Sequence, residues 1–222
     1  MRVWFRSNLY LVVFVCFSVA HAGSYDDFFA AIQHDNVSGL RVVLAKGFDP
    51  NTLGPGGESG LLKAVREPSL KVIDVLLEHP QTRVELRNPK DESPLMLAAL
   101  KGYLDICQKL ILRDADVNKP GWSPLHYAAT GGHIAVIQLL LDQHAYIDAA
   151  SPNGSTPLMM AARYGTSDAV KLLLDAGADA KLKNDLGLTA IDFATQVQRV
   201  DAVALIAGAI RKRNSKDSQN GW

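Results

Sequence analysis

Beyond residue 22 the chain holds five histidines and one cysteine, the residue types best suited to catalysis or metal binding. Their spacing argues against both. His34, His79 and His144 fall at predicted helix ends in separate stretches, without the i, i+4 pairing that sets two imidazoles on one face for zinc. A serine nucleophile would carry a G-x-S-x-G or S-x-x-K signature, and neither occurs. Gly54-Pro55-Gly56-Gly57 lacks the lysine and following helix of a phosphate loop and reads as a mobile finger. Cys107 lies in an apolar run and reads as a buried thiol acting as a small hydrophobe. Cys16 belongs to the N-terminal segment, so no intramolecular disulfide is expected. Carboxylates are spread over turns and exposed helix positions. The expectation is a protein that is not an enzyme, with no catalytic residue, cofactor or metal.

The elements that position these residues repeat. Gly121 to Asp148 reads as one unit: a turn, a short helix opened by Ser123-Pro124, a Gly-Gly break and a longer apolar helix. Positions equivalent to Pro124 are Asp27, Gly60, Pro94, Pro157 and Ala190, spaced 33, 34, 30, 33 and 33 residues apart. Small or apolar pairs follow, as in Ala98-Ala99, Ala128-Ala129 and Ala161-Ala162, where two helices must pack closely. The second helix is denser in apolar residues than one stripe requires, as a helix sandwiched between neighbours would be. A unit this small cannot bury its own apolar face, so stacked neighbours complete the core.

Ser123-Pro124-Leu125-His126-Tyr127-Ala128-Ala129, Gly132-His133, Thr156-Pro157-Leu158, Gly177-Ala178-Asp179 and Ala115-Asp116-Val117-Asn118 together resemble ankyrin repeats. The resemblance implies an all-α fold: a solenoid of about six helix-turn-helix units joined by short hairpin-like fingers. It also implies structural roles for His126, at the helix start, and His133. Departures cluster. The first unit opens with Tyr25-Asp26-Asp27-Phe28-Phe29, as an N-terminal cap might. Pro80 cannot adopt the left-handed conformation that ends the other second helices, so residues 78–88 are expected to leave irregularly. Three residues are missing before Pro124, leaving Trp122 near the tip of a shortened finger.

Composition divides the chain into three. Residues 1–22 carry Arg2 and Arg6, an apolar run from Leu9 to Ala20 and a small-x-small site at Ala20-His21-Ala22, the pattern of a cleavable signal peptide. Residues 23–210 form the repeat domain, and 211–222 read as a disordered polar tail. The whole chain has 23 basic and 23 acidic residues, hence 21 against 23 after the first 22 and a net charge of −2. That balance offers no footprint for nucleic acid. A periplasmic or secreted monomer, with no membrane contact after cleavage, is the expectation.

Proteins of this family meet partners on a concave face built from finger tips and first-helix ends. Carried over by position, the candidates are Trp122, Arg163, Tyr164, Arg66, Lys101, Glu92 and Asn153. Aromatic residues and arginine supply most interface anchors, which favours the first three. Trp122 could instead cover the gap left by its short finger. The chain resembles exported bacterial ankyrin proteins. That suggests an adaptor binding another protein, such as an accessory factor for a periplasmic enzyme. An inhibitor or immunity protein blocking a toxin or hydrolase, or a secreted effector, would use the same groove.

Overall fold

The computed structural model describes residues 23–219; the expected signal segment lies outside them. The chain forms two compact units, divided between Asp91 and Glu92. Every regular element among the described residues is a helix, with one isolated antiparallel bridge between Leu53 and Ser59. No described helix is long and apolar enough to cross a membrane.

The first unit holds helical residues 23–33 (α1), α2 (Val37–Ala45), α3 (Gly60–Arg66) and α4 (Leu70–Glu78). Its start is aromatic. The Phe28 ring lies 5.1 Å from Phe29 and 4.9 Å from Phe48, and Tyr25 lies 4.8 Å from Phe29. Phe28 explains why glycine stands at position 60: a Cβ there would approach the ring to 2.6 Å. The glycine-rich finger, read from sequence as mobile, is a hydrogen-bonded hairpin. Gly54 N donates to Glu58 O (2.8 Å) and Gly57 N to Gly54 O (3.1 Å), while Gly54 lies against Phe29. Beyond α4 the chain leaves extended at His79 (φ −74°, ψ 123°), as the following proline requires.

The second unit holds four helix pairs. The first helices are α5 (Pro94–Lys101), α7 (Pro124–Gly131), α9 (Pro157–Tyr164) and α11 (Ala190–Gln196). The second helices are α6 (Leu104–Leu112), α8 (Ile134–Asp142), α10 (Ser167–Asp175) and α12 (Val200–Gln219). Proline at N1 gives up an N–H that lacks an intrahelical partner anyway, and the preceding Ser or Thr caps the helix. Ser93 Oγ thus accepts from Met96 N at 3.3 Å and Thr156 Oγ1 from Met159 N at 3.4 Å. Successive first helices pack side by side, α5 on α7, α7 on α9 and α9 on α11. The alanine pairs of these helices are fully buried, and Cys107 is too, where burial pushes its thiol up to about 12. The thiol therefore stays neutral.

The second helices end in the left-handed region at Gly47, Asp114, His144 and Gly177. His144 (φ 63°) is the worst suited of these, since its Cβ crowds its own backbone there. Its imidazole is exposed. His144→Gly is expected to raise stability by about 0.5–1 kcal/mol in urea unfolding. An unchanged or lower midpoint would mean that the side chain makes an offsetting contact.

The structure corrects the reading of the C-terminus. Residues 211–219, expected as a disordered tail, continue α12 as helix. Lysine and arginine are good helix formers. Contacts back to the preceding repeat hold the added turns: Arg213 pairs with Asp179 (3.7 Å) and Lys181 Nζ donates to Asn214 Oδ1 (2.6 Å).

Candidate functional site

Because first helices of the second unit lie side by side, their C-terminal residues form a row: Lys101, Gly131, Tyr164 and Gln196. Lys101, Tyr164 and Gln196 are exposed, Tyr164 at 58%. Four helix C-termini converge there with their partial negative charge, which basic residues in the last turn, Lys101 and Arg163, offset.

The anchor candidates differ in how they are held. Arg163 donates from Nη1 to Gln196 Oε1 (2.6 Å), and its guanidinium lies 5.3 Å from the Tyr164 ring centroid and 5.9 Å from Phe193. This cluster joins two of the predicted residues, Arg163 and Tyr164, on α9 and ties them to α11. Glu92 accepts from the Tyr127 hydroxyl at 3.2 Å. Asn153 is engaged in its own finger, where Oδ1 accepts from Ser151 Oγ (2.6 Å) and Ser155 N (3.2 Å). In the first unit, Arg66 pairs with Glu58 at 2.6 Å.

Trp122 packs on the helix start of its own repeat. Its ring meets that of His126 edge-on, centroids 5.3 Å apart, and it is only half-exposed. His126 itself is fully buried. Its Nδ1 accepts from Ser123 N (3.2 Å) and Ser123 Oγ (2.8 Å), which leaves Nε2–H to donate to Ser155 O of the next repeat (2.9 Å). Burial, countered in part by the bond to Ser155, drops its pKa to about 4. It is therefore neutral at pH 7, a structural imidazole bridging repeats. His133 bridges in the other direction, Nε2 to Leu100 O at 2.9 Å. That ring requires glycine at position 102, where a Cβ would lie 2.4 Å from Nδ1.

Sequence reading missed Lys119 and Arg199. Most fingers of the second unit start from a buried polar residue with a short side chain that accepts backbone N–H groups. Ser151 Oγ receives Ser155 N (3.0 Å), and Asn184 Oδ1 receives Leu186 N (3.1 Å) and Leu188 N (3.0 Å). The shortened finger turns carbonyls inward instead and so needs a donor. Lys119, only 4% exposed, supplies it: Nζ donates to Pro120 O (2.9 Å) and Trp122 O (3.4 Å). The sequence signal was a lysine at a position otherwise held by Asn or Ser. Lys119→Met keeps the stem and removes the donor, and is expected to cost about 1–3 kcal/mol with increased Trp122 fluorescence quenching by acrylamide. Unchanged quenching would show that the ammonium does not hold the finger. Arg199 occupies the slot of His133 one repeat pair later, and its guanidinium reaches the carbonyls at the end of α9.

Among the described residues no group of three or more His, Cys, Asp or Glu side chains could hold a metal ion. What the site offers is a fixed, chemically mixed surface on paired helices, the geometry of a helical repeat scaffold. A family model described as ankyrin repeats (3 copies) matches residues 28–120, 61–151, 95–184 and 125–217, and the chain belongs to that family. It is 30% identical over 100 residues to ankyrin repeat and SAM domain-containing protein 6 of Rattus norvegicus, covering 43% of this chain and 11% of that protein. It is 30% identical over 90 residues to the Notch-regulated ankyrin repeat-containing protein of Xenopus tropicalis, covering 38% of this chain and 79% of that one. The chain thus spans only 11% of the length of the first curated relatives it matches. Among solved structures, it resembles a chain from the complex of the predatory endopeptidase Bd0816 of Bdellovibrio bacteriovorus with immunity protein Bd3460. The TM-score is 0.71 at 26% identity, over 82% of this chain and 96% of that one. The human ASB11 ankyrin repeat domain shares the fold, with a TM-score of 0.74 at 24% identity over 82% of each chain.

Proposed function

We propose that this chain binds another protein through the first-helix ends of residues 92–219, and that the partner is a hydrolase which it holds inactive. The observation that carries the binding surface is the row from Lys101 to Gln196, in which Tyr164 stands exposed beside a braced Arg163. An anchor already held by Gln196 and aromatic rings loses less freedom on binding than a loose one. The likeness to a chain from an endopeptidase–immunity protein complex supports inhibition over the accessory-factor role also expected from sequence. Export to the periplasm belongs to the same proposal and rests on the N-terminal sequence pattern alone.

The test is capture from a periplasmic extract with the purified chain, followed by assay of the captured protein. The expected result is a stoichiometric hydrolase whose activity falls on titration with the chain, and whose capture is lost with Tyr164→Ala. A captured enzyme whose activity rises would replace inhibition with the accessory role. Recovery unchanged by Tyr164→Ala would overturn the surface.

A further inference from the structure

Helix α12 runs 20 residues, whereas α6, α8 and α10 run 9 each. Its added turns stand beside the loop after α10, held there by the Arg213–Asp179 and Lys181–Asn214 contacts. Between them lies a groove of about 600 Å³. Leu174, Leu205 and Ile210, each half-buried, form its floor, and Lys181, Lys212 and Arg213 stand around it. Gly208 keeps the floor open, since a Cβ there would meet only the Arg211 guanidinium, 4.0 Å away.

Charge decides what such a groove can accept. Its two acids are already engaged, Asp175 with Lys171 and Asp179 with Arg213. Lys181 and Lys212 have no acidic partner among the described residues, so the rim is left net positive in a chain whose formal charge is zero. A free anion would satisfy the rim and leave the apolar floor wet. A flat bilayer would meet the rim without filling the recess. A polypeptide that alternates acidic and apolar side chains satisfies both, because apolar side chains can enter the groove while carboxylates reach the lysines.

We infer that this groove is a second docking site, for an acidic segment of a partner protein that carries apolar side chains. The site shares no residue with the first-helix row and does not depend on the inhibitor reading. It gives the C-terminal overrun of α12 a role: the extra turns supply Lys212, Arg213 and one wall of the groove.

Fluorescence anisotropy of the purified chain with three labelled peptides tests this. A peptide alternating glutamate and leucine is expected to bind at least about tenfold more tightly than one alternating glutamate and serine, and lysine–leucine is expected not to bind. Gly208→Leu, which fills the floor and improves the helix, and Lys212→Glu, which reverses the rim, should each weaken binding about tenfold. Tyr164→Ala should leave it unchanged, which separates this site from the first-helix row. Equal binding of the serine and leucine peptides would overturn the proposal, as would indifference to both groove substitutions. Association with phosphatidylglycerol vesicles in preference to the glutamate–leucine peptide would also overturn it and assign the basic rim to a membrane surface.

Discussion

Arg199→Ala is expected to loosen the last repeat, costing on the order of 3 kcal/mol. The reason lies at the end of α9. Most first helices here end with a residue in the left-handed conformation, but Gly165 is extended (φ −81°), and its N–H closes only one terminal carbonyl, Ala161 O (3.0 Å). It is glycine for another reason: a Cβ would lie 2.3 Å from Ala129 O of the preceding repeat. The Arg199 guanidinium takes up the acceptor capacity left at this part-buried helix end. Nη1 reaches Ala161 O (2.9 Å), Ala162 O (3.3 Å) and Gly165 O (2.7 Å), while Nη2 lies 3.4 Å from both Ser167 Oγ and Asp201 Oδ2. Each charge-assisted bond contributes roughly 1.5–3 kcal/mol, and water at the helix end recovers part of the loss. Because repeats contact mainly their neighbours, the damage should stay local. Native-state hydrogen exchange should show amides of α11 and α12 losing protection while α5 to α8 keep theirs. Uniform protection, or an unchanged urea midpoint, would remove Arg199 from the joint.

Acid is the second large lever, and it acts through His126. Its pKa is depressed in the folded chain, from 6.5 to about 4. Above pH 6.5 both folded and unfolded states are neutral there, and the contribution is fully present. Between pH 6.5 and 4 only the unfolded state takes up the proton, so stability falls with pH. Below 4 both are protonated and the loss is complete, amounting to about 3 kcal/mol. Carboxylates titrate in the same range, so the informative quantity is the difference between the wild type and His126→Gln. The variant should be less stable at pH 7.5 and should close most of that gap by pH 4. Parallel stability curves would show that His126 titrates normally.

The period, the Ser/Thr-Pro helix starts, the buried alanine pairs and the left-handed ends were all legible in sequence, because each is a local requirement of backbone or packing. What was not legible depends on which atom faces which across a repeat boundary. Trp122 is half-exposed and Asn153 exposed, but that one also lies on His126 and the other ties its own finger is not written in their types or spacing. Lys119 and Arg199 carry charge, and charge in a sequence signals solvent. Only the fold shows inward carbonyls waiting at each of them. The tail read as disordered from composition, since Arg213 and Asn214 find their partners one repeat earlier, at Asp179 and Lys181.

The third residue of each first helix in the second unit has the same task, to receive the N–H of the capping residue, but three chemistries perform it. Met96 and Met159 use sulfur, each 3.4 Å from that nitrogen; His126 uses an imidazole and Asp192 a carboxylate, 2.7 Å from Thr189 N. These helix starts therefore fail under different insults. Peroxide reaching the buried sulfurs on local opening would convert two of them to bulky sulfoxides, acid near pH 4 would charge the third, and only stronger acid would discharge the fourth, whose pKa hydrogen bonds from Thr189 hold down. A stack with unlike helix starts loses some of them to oxidation and others to acid, where a stack of identical starts would lose them together.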